Sequence, residues 1–226
     1  MRMAWIGMLA FMLAANAQTT STKRSITAVG NATVSGTPDK AMVDLGVSTQ
    51  ATTAQDASTQ NAMQVSSVLS AIQTVLGAAA NIKTISYSLS PVYNYPPGGG
   101  NPTLIGYTAT NIVEATLTDL TLIGKVIDVA IGAGANRVQG IVFGLQNPDP
   151  IQAQALKTAA TSAMALANAI AAGLGVHTGN IIRASEGVQL LTPSRSVGAA
   201  APAATTPVDP GLIQVQGSVT VEVEII

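Results

Sequence analysis

Residues 104–117 read LIGYTATNIVEATL, and apolar and polar side chains alternate along this whole stretch. One face collects mainly apolar residues: Ile105, Tyr107, Ala109, Asn111, Val113, Ala115 and Leu117. The other face collects mainly polar residues: Thr108, Thr110, Ile112, Glu114 and Thr116. A period of two with one apolar face is typical of a half-buried β-strand. The sequence therefore predicts a sheet that packs against the hydrophobic core through one of its two faces.

The segment before this strand is a second strand candidate. Residues 81–95 read NIKTISYSLSPVYNY, and the connection at 96–102 is PPGGGNP, which consists of turn-forming residues. A hairpin explains this pattern. The glycine run does not match a phosphate-binding loop, because such a loop leads into a helix N-terminus and this one joins two strands.

Further periodic segments on both sides of this hairpin complete the domain. Alternation predicts strands at 26–35, 42–49, 137–145, 181–190 and 213–225, whereas steps of three and four predict helices at 56–77, 119–132 and 149–174. The turn residues at 36–39 suggest that the first two strands form a hairpin. The order is ββαββαβαββ, which predicts an α+β fold with a largely antiparallel sheet and three helices packed on it. In the third helix the expected packing stripe is Leu156, Ala160, Ala163, Ala167, Ile170 and Leu174.

The N-terminal residues predict export. Arg2 precedes a short apolar run, and Ala15 and Ala17 flank Asn16 as in a cleavage site, so residues 1–17 are expected to be a signal peptide. An uncleaved anchor is disfavoured because the run is shorter than the roughly 20 residues that span a bilayer. We expect a disordered stretch at 18–24, one domain at 25–226 with a mobile loop at 192–210, and no transmembrane segment in the mature chain.

Composition excludes several functions. Charged residues make up 9% of the chain and the net charge is −1, so the basic patch that nucleic acid requires is missing. A thinly charged surface favours self-association. The chain has no cysteine, which excludes disulfides and thiolate chemistry.

No catalytic constellation is recognisable in the sequence. His177 is the single histidine and lies in a glycine-rich turn, so we expect neither a metal site nor a cofactor. No G-x-S-x-G elbow supports a Ser-His-Asp triad. The eleven carboxylates are scattered singly, although two of them could still meet in space as an acid and base pair.

The tyrosines are the one distinctive group. Four of the five aromatic residues beyond the signal lie on the central hairpin: Tyr87, Tyr93, Tyr95 and Tyr107. Tyrosine combines an apolar ring with a hydroxyl that can stay in water, so this group can form a partner-binding or assembly surface. Filling of the sheet's core explains the same cluster equally well.

Several segments together resemble a known family. They are Pro38–Ala41, Ile85–Tyr93, Gly106–Asn111, and Gly134–Asn136 leading into Val138–Phe143. The chain from about Ser25 to its C-terminus resembles the bacterial SIMPL-domain proteins, also described as periplasmic immunogenic or oxidative-stress defence proteins. The resemblance implies periplasmic residence, self-assembly, and a link to stress tolerance, and it supplies no catalytic residues. It also implies an alanine-rich third helix, represented here by Ala155, Ala159, Ala163 and Ala167.

Three functions remain open at this point. The first is a non-enzymatic periplasmic or envelope-associated protein that forms a homo-oligomer or binds an envelope protein. The second is a small-ligand carrier or an enzyme with a pocket between the long third helix and the sheet. The third is a subunit of an outer-membrane pore, which is disfavoured because the strands lack a repeated lipid-facing apolar band.

Overall fold

The computed structural model describes residues 24–78, 80–191 and 208–226. These residues form an α+β fold, and their order of elements is the predicted ββαββαβαββ. The strands are β1 (Ser25–Gly36), β2 (Lys40–Ala51), β3 (Asn81–Asn94), β4 (Thr103–Leu117), β5 (Arg137–Gly144), β6 (Thr178–Leu191) and β7 (Ile213–Ile225). The helices are α1 (Ala54–Leu76), α2 (Ile123–Gly132) and α3 (Asp149–Gly173).

The expected signal peptide at 1–17, the stretch expected to be disordered up to residue 23, and residues 192–207 of the expected mobile loop lie outside the described residues. None of the helices in the described ranges is both long enough and apolar enough to cross a membrane.

The strands divide between two antiparallel sheets. One has the order β1-β7-β6 and the other has the order β3-β4-β2-β5. The expected hairpin of β1 and β2 is therefore wrong, because β1 pairs with β7 from Ser25↔Glu224 to Gly36↔Ile213. The connection at 37–39 carries a buried proline, Pro38, and leads the chain from one sheet into the other. Turn residues between two strands do not specify whether those strands pair.

Helices α1 and α2 cover one face of the four-stranded sheet. The core is aliphatic, and its members alternate along β2 and β4 and recur at helical spacing in α1 and α2. They include Val43, Leu45, Val47, Val65, Val68, Ile72, Val113, Leu117, Ile123 and Val126. Burial of each such side chain stabilises the fold by about 1.5–3 kcal/mol.

Helix α3 covers the three-stranded sheet with a row of alanines. The buried residues are Ala155, Ala159, Ala163, Ala167 and Ala171. This row matches the alanines that the resemblance implied, whereas Ile170 and Leu174 of the expected stripe are exposed. A Cβ placed on Gly217 would lie 2.9 Å from the carbonyl carbon of Ala155, so only small residues fit where helix and sheet meet.

The start of α1 shows a reciprocal cap. Thr53 is the N-cap, and its hydroxyl accepts a hydrogen bond from the backbone N–H of Asp56 at 3.1 Å. The same hydroxyl donates to Oδ2 of Asp56 at 2.7 Å. Asp56, where the sequence predicted the helix to begin, thus lies three positions inside the cap and places its carboxylate in the first turn, where the helix dipole favours a negative charge.

Candidate functional site on the β3–β4 hairpin

The hairpin of β3 and β4 extends beyond the helical layer. Every residue from 93 to 105 is exposed, and burial along β4 begins at Gly106. Two register shifts, between Thr84 and Ser86 and between Val92 and Tyr93, interrupt the pairing of β3 with β4. The tip of the hairpin therefore stands in solvent on both faces.

Gly106 allows the hairpin to pass the start of α1 closely. A Cβ at this position would lie 2.6 Å from the carbonyl oxygen of Ala51. Any larger residue would push β4 away from the connection between β2 and α1. Gly106 thus determines the path that the hairpin takes past the start of α1.

The tyrosines occupy two separate positions on the hairpin. Tyr87 lies near its base, opposite Asn111, and its hydroxyl is 2.5 Å from Oγ of Ser58 on α1. Tyr107 lies opposite Pro91, four residues along β4 from Asn111. At the rise of an antiparallel strand this separation is about 13 Å.

The other two tyrosines belong to the tip. Tyr93 lies opposite Leu104, and Tyr95 follows the end of β3. Tyr87, Tyr93 and Tyr95 are 52%, 45% and 70% exposed, respectively, whereas Tyr107 is partly buried. Filling of the sheet's core therefore does not explain the three exposed tyrosines.

Aliphatic side chains of the same hairpin also face solvent, and they were not among the predicted site residues. They are Ile85, Leu89, Leu104 and Ile105, each at least 40% exposed. The alternation of Ile85, Tyr87 and Leu89 along β3 was the available signal. We call these four residues and the tyrosines Tyr87, Tyr93 and Tyr95 the hairpin surface.

The hairpin surface is uncharged. The sequence contains no Asp, Glu, Lys, Arg or His between Lys83 and Glu114. These two residues form an ion pair at the base of the hairpin, with Nζ of Lys83 at 2.9 Å from Oε1 of Glu114. Depletion of charge together with enrichment in tyrosine is characteristic of the core of protein interfaces.

Two carboxylates that are distant in sequence do meet in space. Asp44 of β2 is the cross-strand partner of Glu114 of β4. Burial raises the pKa of the Asp44 carboxyl, the negative charge of Glu114 raises it further, and Lys83 partly offsets both effects. Because Lys83 pairs with Glu114, this row forms a charge network across three strands.

The single histidine, for which the sequence predicted no metal site, lies in the connection that follows the chain's third helix. His177 is exposed between α3 and β6, and its backbone N–H and carbonyl exchange hydrogen bonds of 2.9 Å with those of Ile226. Within residues 24–78, 80–191 and 208–226, no group of three or more His, Asp or Glu side chains is arranged to hold a metal ion.

The interface between α3 and its sheet leaves no room for the pocket considered above at two points along the helix. A Cβ on Gly30 would overlap backbone atoms of Ala159 and Ala163, and one on Gly217 would contact Ala155. This contact of backbone with backbone argues against a ligand site between the long helix and the sheet.

Comparison with known proteins identifies the family. Residues 26–223 match the model of the SIMPL family, which is described as a protein of unknown function (DUF541). The match covers most of the chain, so the chain belongs to the SIMPL family.

Named relatives agree with this assignment. The 26 kDa periplasmic immunogenic protein of Brucella melitensis biotype 1 is 29% identical over 172 residues, which cover 75% of this chain and 69% of the relative. The uncharacterized protein YggE of Escherichia coli strain K12 is 29% identical over 168 residues, which cover 74% of this chain and 68% of the relative.

Proposed function

We propose that this SIMPL-family protein is exported to the bacterial periplasm or envelope and acts without catalysis, by assembling with copies of itself. The observation that carries the proposal is the hairpin surface. It exposes three tyrosines and four aliphatic side chains on a segment that holds no charged residue. Burial of these side chains against a second copy removes apolar area from water, which is the main driving force of protein association.

Strand β6 supports the proposal with a second surface. It lies at the edge of its sheet and pairs with β7 alone, so its outer backbone groups have no strand partner among the described residues. From Arg183 to Leu191 its register is regular, without a bulge or a proline. Ile181, Val188 and Leu190 are exposed on this strand. Such an edge is suited to pairing with a strand of another molecule.

The edge of β3 differs from that of β6. Its pairing with β4 is interrupted by register shifts, and the strand carries Pro91 and Lys83. These features oppose edge-to-edge pairing. We therefore assign association through side chains to the hairpin surface, and association through backbone pairing to β6.

Two unlike surfaces on one chain favour a head-to-tail contact, which closes into a ring where the rotation between copies permits it. An envelope protein that offers an apolar patch or a strand edge would bind the same surfaces. The periplasmic name of the Brucella relative supports the location.

A link to envelope or oxidative-stress tolerance is part of the proposal as a consequence of assembly. Direct scavenging by methionine would have little capacity, because only Met42, Met63 and Met164 follow the expected signal peptide. The proposal includes no catalytic step. In the Asp44–Glu114 carboxylate pair, Glu114 forms an ion pair with Lys83.

Light scattering coupled to size exclusion tests the proposal on the chain from Gln18 onward. We expect a defined oligomer at about 100 µM, a concentration at which even micromolar interfaces are occupied. Replacing Tyr93 and Tyr95 together with serine should shift the protein to smaller species. So should replacing Val188 and Leu190 together with lysine.

The matched control is Ile131→Ser, which removes an apolar side chain that is 51% exposed at the end of α2 and belongs to neither surface. It should leave the oligomer intact. A monodisperse monomer of the unaltered chain would contradict the proposal. An oligomer that both double variants leave unchanged would show that neither the hairpin surface nor the edge of β6 mediates assembly.

A further inference from the structure

A polar pocket lies between the first turns of α1 and the base of the hairpin. Its volume is about 360 Å³, within the range of small-molecule sites. Ser58, Asn61 and Ala62 line it from the helix, and Tyr87 and Asn111 line it from the sheet. This pocket is distinct from the interface of α3 with its sheet, which was the ligand site left open by the sequence.

Asn61 contributes a buried polar side chain to the pocket lining. It is 1% exposed and is the one buried polar residue of the described ranges. Its Nδ2 donates to the carbonyl oxygen of Val47 at 2.9 Å and to that of Ala109 at 3.1 Å. Because two carbonyls hold the NH₂ group, the amide cannot be flipped, and Oδ1 is the atom left to accept.

The remaining oxygen of Asn61 is unsatisfied within the protein. Its Oδ1 is buried and accepts no hydrogen bond from the described residues, and the same holds for Oδ1 of Asn111 across the pocket. A buried acceptor without a donor costs about 1–3 kcal/mol. Asn61 and Asn111 both line the pocket, so a ligand that brings donors and reaches these two oxygens would satisfy them.

The remaining lining selects against cations, and the unpaired acceptor oxygens of Asn61 and Asn111 disfavour an anion. The other polar groups are the hydroxyls of Ser58, Thr59 and Tyr87 and the amide of Gln55. No carboxylate lines the pocket, so a bound cation would be left without a counter-charge. The pocket also lies along the first turns of α1, where the positive end of the helix dipole disfavours cations.

We propose that this pocket binds a small neutral polyhydroxyl compound, such as a monosaccharide. Sugar hydroxyls donate to Oδ1 of Asn61 and Asn111 and accept from the hydroxyl groups of the lining. Tyr87 and Ser58, whose hydroxyls are in contact, both belong to the lining, and the ring of Tyr87 offers an apolar surface to the carbon skeleton. The proposal does not depend on self-assembly.

Heteronuclear NMR tests the proposal on uniformly ¹⁵N-labelled protein from Gln18 onward. Glucose, N-acetylglucosamine, glycerol and putrescine are titrated separately. We expect a sugar or glycerol to shift the side-chain amide signals of Asn61 and Asn111 in a saturable manner, and putrescine to leave them unchanged.

Two variants locate the site. Ala62→Leu fills the pocket from an exposed helix position and should weaken binding about tenfold, the equivalent of one to two lost hydrogen bonds. The matched control is Ala153→Leu at an exposed position of α3, and it should leave the affinity unchanged. Tyr87→Phe, which keeps the ring, should weaken binding more than Tyr95→Phe at the hairpin tip.

Three outcomes overturn the proposal. Amide signals that no polyol shifts show that the pocket holds solvent alone. Shifts with putrescine but not with polyols assign the site to amines. Binding that Ala62→Leu leaves unchanged, in a variant whose spectrum shows an intact fold, places the ligand elsewhere.

Discussion

Gly30 of β1 lies directly beneath Ala159 of α3, so close that a Cβ on Gly30 would overlap the carbonyl oxygen of Ala159. The backbone nitrogen of Ala163 approaches the same point. Helix and sheet thus touch backbone to backbone, which explains why α3 buries a row of alanines, whereas its larger residues Leu166 and Ile170 are exposed.

Replacing Gly30 with alanine should destabilise the protein by about 2–3 kcal/mol, because the added methyl group meets rigid backbone that cannot move aside. Chemical denaturation measures the change in the free energy of unfolding. Gly187→Ala on β6 is the control, since a Cβ there meets nothing within 4 Å. Equal stability of the two variants would disprove the close contact.

Asn61→Ala should cost about 2–3 kcal/mol of unfolding free energy, because the carbonyls of Val47 and Ala109 both lose their donor in a buried site. Thermal and denaturant unfolding would report the loss. Gln60→Ala, on the exposed side of the same helix, should change stability by less than about 0.5 kcal/mol. A neutral Asn61→Ala variant would show that the amide does not tie α1 to the sheet.

Asn136→Asp should destabilise the edge of the four-stranded sheet by about 1–2 kcal/mol. The Asn136 amide accepts from the backbone N–H of Ser48 at 2.9 Å and donates to the Ser48 carbonyl at 2.7 Å, so it extends the pairing of β2 beyond Arg137. Aspartate keeps the acceptor and loses the donor. Hydrogen exchange at the Ser48 amide should accelerate, and protection equal to that of the unaltered chain would contradict the assigned role.

Asp44→Asn should raise the free energy of unfolding at neutral pH. The pKa of Asp44 is raised above its ordinary value of 3.8 by burial and by Glu114, so the folded protein binds this proton more tightly than the unfolded chain does. The ionised carboxyl therefore destabilises the fold above its folded pKa, and the penalty falls as pH decreases through that value.

Denaturant unfolding between pH 7 and about pH 4 measures this effect as the difference between the variant and the unaltered chain. The stabilisation by asparagine should shrink toward the acidic end. Glu186→Gln, which removes one exposed carboxylate from β6, controls for the change in net charge. A stabilisation that grows on acidification would refute the assigned sign.

The order of the elements could be read from the sequence because its signals are local. The alternation in 104–117 and the three- and four-residue steps of α1 need only neighbouring residues, and both were placed correctly. The exposed position of the tyrosines could not be read in this way. Tyr87 pairs with Asn111 and so shares a face of the hairpin with Val113, yet Val113 is fully buried whereas Tyr87 is 52% exposed and contacts α1 with its hydroxyl.

The fold class, the order of strands and helices, the uncharged hairpin and the family could all be predicted from the sequence, since each depends on patterns within a short stretch or on residue types. Only the folded arrangement shows that β1 pairs with β7, that Asp44 lies opposite Glu114, and that Asn61, whose Oδ1 has no hydrogen-bond partner among the described residues, lines a pocket. These relations depend on which strands become neighbours, and this depends on how segments that are distant in sequence pack together. For example, α3 packs closely on Gly30 and Gly217, and no local sequence pattern specifies this contact.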